Sequence, residues 1–163
     1  MTAMADGPFK YSIDTSSLMH AWIRAYPPDV LPPLWDRMDE LIESGHLIAP
    51  MDVLLDLEKK EGDALYEWCK GRPGMFVEID QFQDELTHVM KNYSRLVDTV
   101  KGKSGSDPMV IALAMSHNPG LTVITEEKGG SENKPKMPFV CDQEDIRCIN
   151  ILQLIRDQRW KFG

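Results

Sequence analysis

Cysteine is scarce in this chain: Cys69, Cys141 and Cys148 are odd in number and show no CxxC spacing. That argues against a disulfide framework and a cysteine-rich zinc site, and the three are expected to be reduced and structural. Long apolar runs are missing as well. No stretch approaches the eighteen or so uninterrupted apolar residues of a membrane helix, and the first residues, with Asp6 and Gly7, contain no apolar signal core. The expectation is a cytoplasmic protein with no membrane partner. Positive charge is in deficit, with 18 Lys and Arg against 26 Asp and Glu, a net charge of −8. Passive binding of nucleic acid over the whole surface is therefore disfavoured, because it needs a positive footprint to displace counterions. The bases present lie late: residues 31–90 hold 14 acids and 5 bases, residues 91–163 hold 9 acids and 11 bases. A nucleotide-binding P-loop is also lacking. Gly102-Lys103-Ser104 has the right ending, but the motif needs glycine five residues earlier, where Val97 stands.

What is present is enough apolar residue, 42% of 163, for one core and one domain over residues 10–163, preceded by a short leader at 1–9. Tyr11-Ser12-Ile13 reads as a first strand that delivers Asp14 to its C-terminal tip, and Thr15, Ser16 and Ser17 follow as helix caps and polar neighbours. Apolar spacing predicts a helix to Tyr26, stopped by Pro27-Pro28, and a second opening at Asp29 and ending at Gly45. Residues 46–50 read as an extended link before a helix over 51–60, on which Asp56 lies beside the buried face and Glu58 belongs to a solvated run. A further helix follows Gly62, then a strand at 76–79, and one long amphipathic helix is expected from Gln83 to about Val100. Ser106 or Asp107 caps an apolar helix with Pro108 in its first turn. Leu121 to Ile124 reads as a strand carrying Thr125, Glu126 and Glu127 at its tip. Residues 128–138 read as a mobile loop without packing of its own. A short helix over 140–147, a strand at 148–151 and a closing helix over 152–160 complete the chain. Strands alternating with helices predict an α/β protein, a three-layer α/β/α sandwich with a mainly parallel central sheet.

Four acids thus fall at element edges: Asp14, Asp56, Asp107 and either Glu126 or Glu127, with Glu58 and Asp52 near the second. Carboxylates grouped without His or Cys favour hard divalent cations, Mg2+ or Mn2+, and such sites suit phosphodiester cleavage. In the absence of a cation, mutual repulsion is expected to raise the pKa of at least one of them. Ser106, Thr125, Thr15 and Ser16 are the expected supporting hydroxyls. Lys101, Lys103, Lys128, Lys134 and Lys136 flank Asp107 and Glu127 in sequence and are the bases expected to neutralise the phosphates of such a substrate.

Asp14-Thr15-Ser16-Ser17, Tyr26-Pro27 with Leu34-Trp35, the Pro50 to Leu57 helix, Ser106-Asp107-Pro108 before Val110 to Ala114, and Val123 to Glu127 together resemble the PIN domains. Within these they are similar to the PIN-like DUF4411 subgroup. The resemblance spans Tyr11 to the closing helix and implies a Mg2+ or Mn2+-dependent ribonuclease, frequently the toxin of a toxin–antitoxin pair. Its first three acids match Asp14, Asp56 and Asp107, and Glu127 takes the place of the fourth. RNA is then the substrate, a cognate antitoxin protein the partner, and a homodimer is compatible. The second acid is usually Glu in PIN domains and is Asp here. An adhesion-type metal motif fails at Leu18, and a dehalogenase-like phosphatase would want Asp where Ser16 stands. The remaining alternative is a catalytically weak or inert PIN-like module that binds RNA or protein.

Overall fold

Strand β1 (Tyr11–Ile13) is wholly buried and lies at the centre of a five-stranded sheet of order β3-β2-β1-β4-β5, in which every pairing is parallel. The other strands are β2 (Leu47–Pro50), β3 (Phe76–Val77), β4 (Thr122–Ile124) and β5 (Cys148–Ile149). The computed structural model describes residues 9–60, 63–98 and 106–162. Parallel strands buried on both faces read as continuous apolar runs rather than alternating ones, which is why Leu47 to Pro50 passes for a link in sequence and is a strand in the fold. The chain builds outward from β1 to β2 and β3, then returns to the other side of β1 for β4 and β5. That reversal makes a crevice between β1 and β4 at the carboxyl ends of the strands, where open α/β sheets bind their ligands.

Helix α1 (Thr15–Met19) continues as a π-helical turn over His20–Ala25. Helix α2 (Pro32–Glu43) begins at Pro32 rather than Asp29. A residue before proline is pushed out of the helical region, and Leu31 is at φ −133°. Gly45, at φ +80°, supplies the left-handed residue that ends α2. Helices α3 (Met51–Lys59) and α4 (Asp63–Lys70) follow. The long helix expected over 83–100 is broken into α5 (Gln83–Asn92) and α6 (Arg95–Asp98). Asn92 donates its side-chain amide back to the His88 carbonyl at 2.8 Å, and Tyr93 leaves the helical region at φ −134°, with its hydroxyl bonded to Glu144 at 2.5 Å. Such local side-chain bonds compete with helix propagation.

Helix α7 (Asp107–Met115) is apolar all round, as expected of a helix enclosed on every side. It packs against β1, β2 and β4 beneath α5, α6 and α8 (Met137–Gln143). Ser12 of β1 donates to the Val110 carbonyl at 2.9 Å, and Leu121, before β4, donates its N–H to the Ala114 carbonyl at 3.0 Å. These bonds tie the first half of α7 to β1 and its C-terminal end to the start of β4. Helix α8 begins three residues before the expected Val140, and helix α9 (Ile151–Asp157) starts in a capping box made by Asn150 and Gln153. The stretch at 128–136 does pack. Pro135 is buried, and a Cβ at Gly130 (φ +108°) would stand 2.7 Å from the Lys136 nitrogen. The architecture is a three-layer α/β/α sandwich, and the buried apolar residues form one cluster.

Candidate active site

Asp14 ends β1 in an extended conformation and is itself the N-cap of α1, a role the sequence reading gives to the three hydroxyl residues after it. Its Oδ1 accepts the Ser17 N–H at 2.7 Å. Ser16 Oγ donates to the same carboxylate at 2.9 and 3.0 Å, and Thr125 Oγ1, from the tip of β4, donates to Oδ2 at 2.5 Å. The carboxyl is only 1% exposed, and burial pushes its pKa up to about 6 against the pull of these donors. The Ser17 hydroxyl is also buried; it faces Asp14 closely enough to favour the anion but has no partner at bonding geometry among the described residues.

A second group stands beside the first. Thr15 Oγ1 donates to Asp56 Oδ2 at 3.1 Å and lies 3.4 Å from Ser106 Oγ. Asp56 comes from α3, which packs on α1, and is half-buried. Ser106 occupies the N-cap position of α7, yet its hydroxyl does not cap the helix.

Asp107 opens α7 and is 6% exposed. Burial is the largest influence on its carboxyl; the charges of Glu127 and Asp14, a hydrogen bond shared with Glu127 and the charge of Asp56 add to it, and together they push its pKa up to about 8. Asp107 therefore keeps its proton near neutral pH, directed at Glu127. Glu127 is aimed inward by its neighbours: its N–H donates to Thr125 Oγ1 at 3.1 Å and its Oε1 accepts the Met137 N–H at 3.1 Å. Glu126 points elsewhere, accepting the Ile151 N–H at 3.0 Å and lying 3.9 Å from His20 Nε2. Adjacent residues of an extended tip face opposite ways.

Asp14, Asp56 and Glu127, from separate parts of the chain, thus lie near enough to Asp107 at the β1/β4 crevice for their charges to act on it. Glu58 sits on the exposed side of α3. Lys128, Lys134 and Lys136 are exposed in the loop that follows Glu127, while Lys101 and Lys103 lie outside the described residues. Among the described residues, no three His, Cys, Asp or Glu side chains already stand in an arrangement that would hold a metal ion. The chemistry of the donors nevertheless fits a hard divalent cation: oxygen only, mutually repelling, and retaining a proton where positive charge is wanted. A cleft of about 260 Å³ opens beside this group, bounded by Thr125, Glu126, Glu127, Lys128 and Cys148. Sequence reasoning missed the Met137 amide that holds Glu127, since backbone donors leave no signature in residue type. It also missed Cys148 in the cleft wall, whose signal was a thiol at the start of a strand beside the crevice.

Residues 11–162 match the family model described as Domain of unknown function (DUF4411). The chain belongs to the DUF4411 family. No curated protein and no solved structure matches it. The DUF4411 match begins at the first residue of β1 and runs past α9, so it takes in the whole sheet and all four acids.

Proposed function

We propose that this DUF4411 domain is a PIN-like endoribonuclease dependent on Mg2+ or Mn2+, acting as the toxin of a toxin–antitoxin pair. The observation that carries the reading is Asp107. Its carboxyl is raised to about 8 by burial first and by the charges of Glu127, Asp14 and Asp56 after it, and a group perturbed in this way beside a crevice marks a candidate functional site. The bound cation would activate water for attack on phosphorus and offset charge on the leaving oxygen. Asp107, Glu127, Asp14 and Asp56 would hold it. Thr125 and Ser16 fix the Asp14 rotamer, Thr15 orients Asp56, and the Met137 amide keeps Glu127 turned inward. Asp107 would have to give up its proton for the site to hold the cation. Lys128, Lys134 and Lys136 stand after Glu127 to neutralise phosphates flanking the scissile bond, together with Lys101 and Lys103 before Asp107. The antitoxin, and any homodimer, rest on the PIN-like resemblance.

A second reading, a PIN-like module that binds RNA or protein without cleaving it, draws on Asp14, both of whose oxygens are already engaged by Ser16, Ser17 and Thr125. Purified protein incubated with RNA separates the two. The nuclease reading expects cleavage that requires Mg2+ or Mn2+ and falls by on the order of 100-fold or more in Asp14→Asn. RNA bound but left intact by the wild type supports the inert module, and cleavage undiminished in Asp14→Asn rules out this site.

A further inference from the structure

A second pocket, of about 470 Å³, opens where α5 and α6 face α8 and the loop at 128–136, and none of the four acids lines it. Its volume falls in the range of ligand pockets, about 300–1,000 Å³. Hydrogen bonds across the seam hold its walls. The Asn92 amide donates to His88 Nδ1 at 3.2 Å, which leaves the His88 proton on Nε2, 3.1 Å from Glu144 Oε1. The Tyr93 hydroxyl donates to the other Glu144 oxygen at 2.5 Å. Arg95 Nη1 donates to the Asn133 carbonyl at 3.3 Å and so joins α6 to the loop. A Cβ on Gly130 would stand 2.8 Å from Phe139 Cβ, so the loop also lies directly on α8.

This network uses both oxygens of Glu144, both ring nitrogens of His88 and the Tyr93 hydroxyl. What remains to meet a ligand are the half-buried rings of Tyr93 and Phe139, the buried Pro135 and the exposed Gln143 amide, which has no hydrogen-bond partner among the described residues. Arg95 lines the same pocket, and Lys134 and Lys136 flank Pro135, all three exposed; Glu132 is the acid of the lining outside the network. Rings, an unused amide and cations at the mouth match an unstacked nucleobase and its backbone. Base faces stack on aromatic side chains, base edges bond to amides, and phosphates meet cations.

We propose that this pocket is a subsite for one unstacked base of single-stranded RNA, with the base against Phe139 and Tyr93, its edge on Gln143 and the adjoining phosphates on Arg95 and Lys134. The inference rests on the ribonuclease reading and adds how the substrate is held. The loop at 128–136 links the two places: it leaves Glu127 in the crevice and ends at Met137, whose N–H holds Glu127 at 3.1 Å. A strand seated in the pocket therefore lies against the loop that borders the acids. Binding energy gathered there offsets the repulsion between those acids and a polyanion. A duplex keeps its bases stacked and paired, and inserting one costs a few kcal/mol.

The test is fluorescence anisotropy of a fluorescein-labelled RNA of mixed sequence, as a single strand and as a duplex, titrated with metal-free protein in EDTA. The single strand should bind about fivefold more tightly than the duplex, or better. Phe139→Leu, which keeps an apolar side chain and removes the ring, should weaken single-strand binding about fivefold or more, and Phe139→Tyr should bind like the wild type. Should Phe139→Leu not fold, Gln143→Ala, at an exposed side chain, carries the test with an expected loss of about threefold. A duplex bound as tightly as the single strand, Phe139→Tyr as weak as Phe139→Leu, or wild-type affinity in both Phe139→Leu and Gln143→Ala overturns the subsite, while RNA cleavage at the crevice still stands. No binding of either RNA by the wild type overturns the subsite and the RNA reading together.

Discussion

Acids at the rim of this domain and acids in the β1/β4 crevice are treated in opposite ways. Asp39 of α2 receives Arg72 through two bonds of 2.7 and 3.2 Å, and Arg72 also lies 4.0 Å over the Trp68 ring and donates to the Trp68 carbonyl. Asp157 of α9 receives Arg147 through bonds of 2.7 and 2.8 Å, together with the Tyr11 hydroxyl. Asp14 and Asp107 are more deeply buried. They are given hydroxyls, one amide and other acids instead. An unpaired buried charge is costly, and among the described residues guanidinium goes to the rim carboxylates rather than to Asp14 or Asp107, a contrast that the proposed metal site would explain.

The largest effect expected from breaking this contrast is on the structural side. Arg72→Ala removes both bonds to Asp39 and the contact with Trp68, and should cost roughly 2–3 kcal/mol in a urea unfolding titration. The crevice should respond with the opposite sign. Asp14 and Asp107 have folded pKa values of about 6 and about 8 against an ordinary value of 3.8, so they hold protons more tightly folded than unfolded. Their contribution to stability is complete below 3.8 and falls as pH rises, to about 6 for Asp14 and to about 8 for Asp107. Metal-free protein should lose stability from pH 5 to pH 8, and Asp107→Asn should recover on the order of 1–2 kcal/mol at pH 8 while abolishing RNA cleavage. A thermal melt series across pH checks both, and a variant less stable than wild type at pH 8 would remove the repulsion argument. The smallest stability effect belongs to the loop. Lys128, Lys134 and Lys136 changed together to Ala should alter stability by about 0.5 kcal/mol or less, while lowering RNA affinity and flattening its salt dependence. An unchanged salt slope places the RNA path elsewhere.

Much of the crevice was legible because its residues combine a distinctive type with a distinctive place. An acid directly after a buried run, and Ser-Asp-Pro before an apolar helix, announce Asp14 and Asp107 through strand-end and first-turn chemistry. Thr125-Glu126-Glu127 leaves two candidates, and only the strand pleat together with the Met137 and Ile151 amides separates them. Strand β2 stayed hidden because four apolar residues ending in proline carry no period. The break at Tyr93 stayed hidden because it depends on Glu144, fifty-one residues away in the chain. Pattern within a segment reports which face is buried, and it is silent about a partner that arrives from another segment.

The central claim is that the proton Asp107 keeps near neutral pH holds the place of a metal ion. Calorimetric titration of metal-free protein with Mn2+ at pH 7, in buffers of different ionisation enthalpy, measures it directly. The account predicts saturable binding with close to one proton released per chain, and release that disappears in Asp107→Asn. Absence of binding at millimolar Mn2+, or binding with equal proton release in the variant, would contradict it.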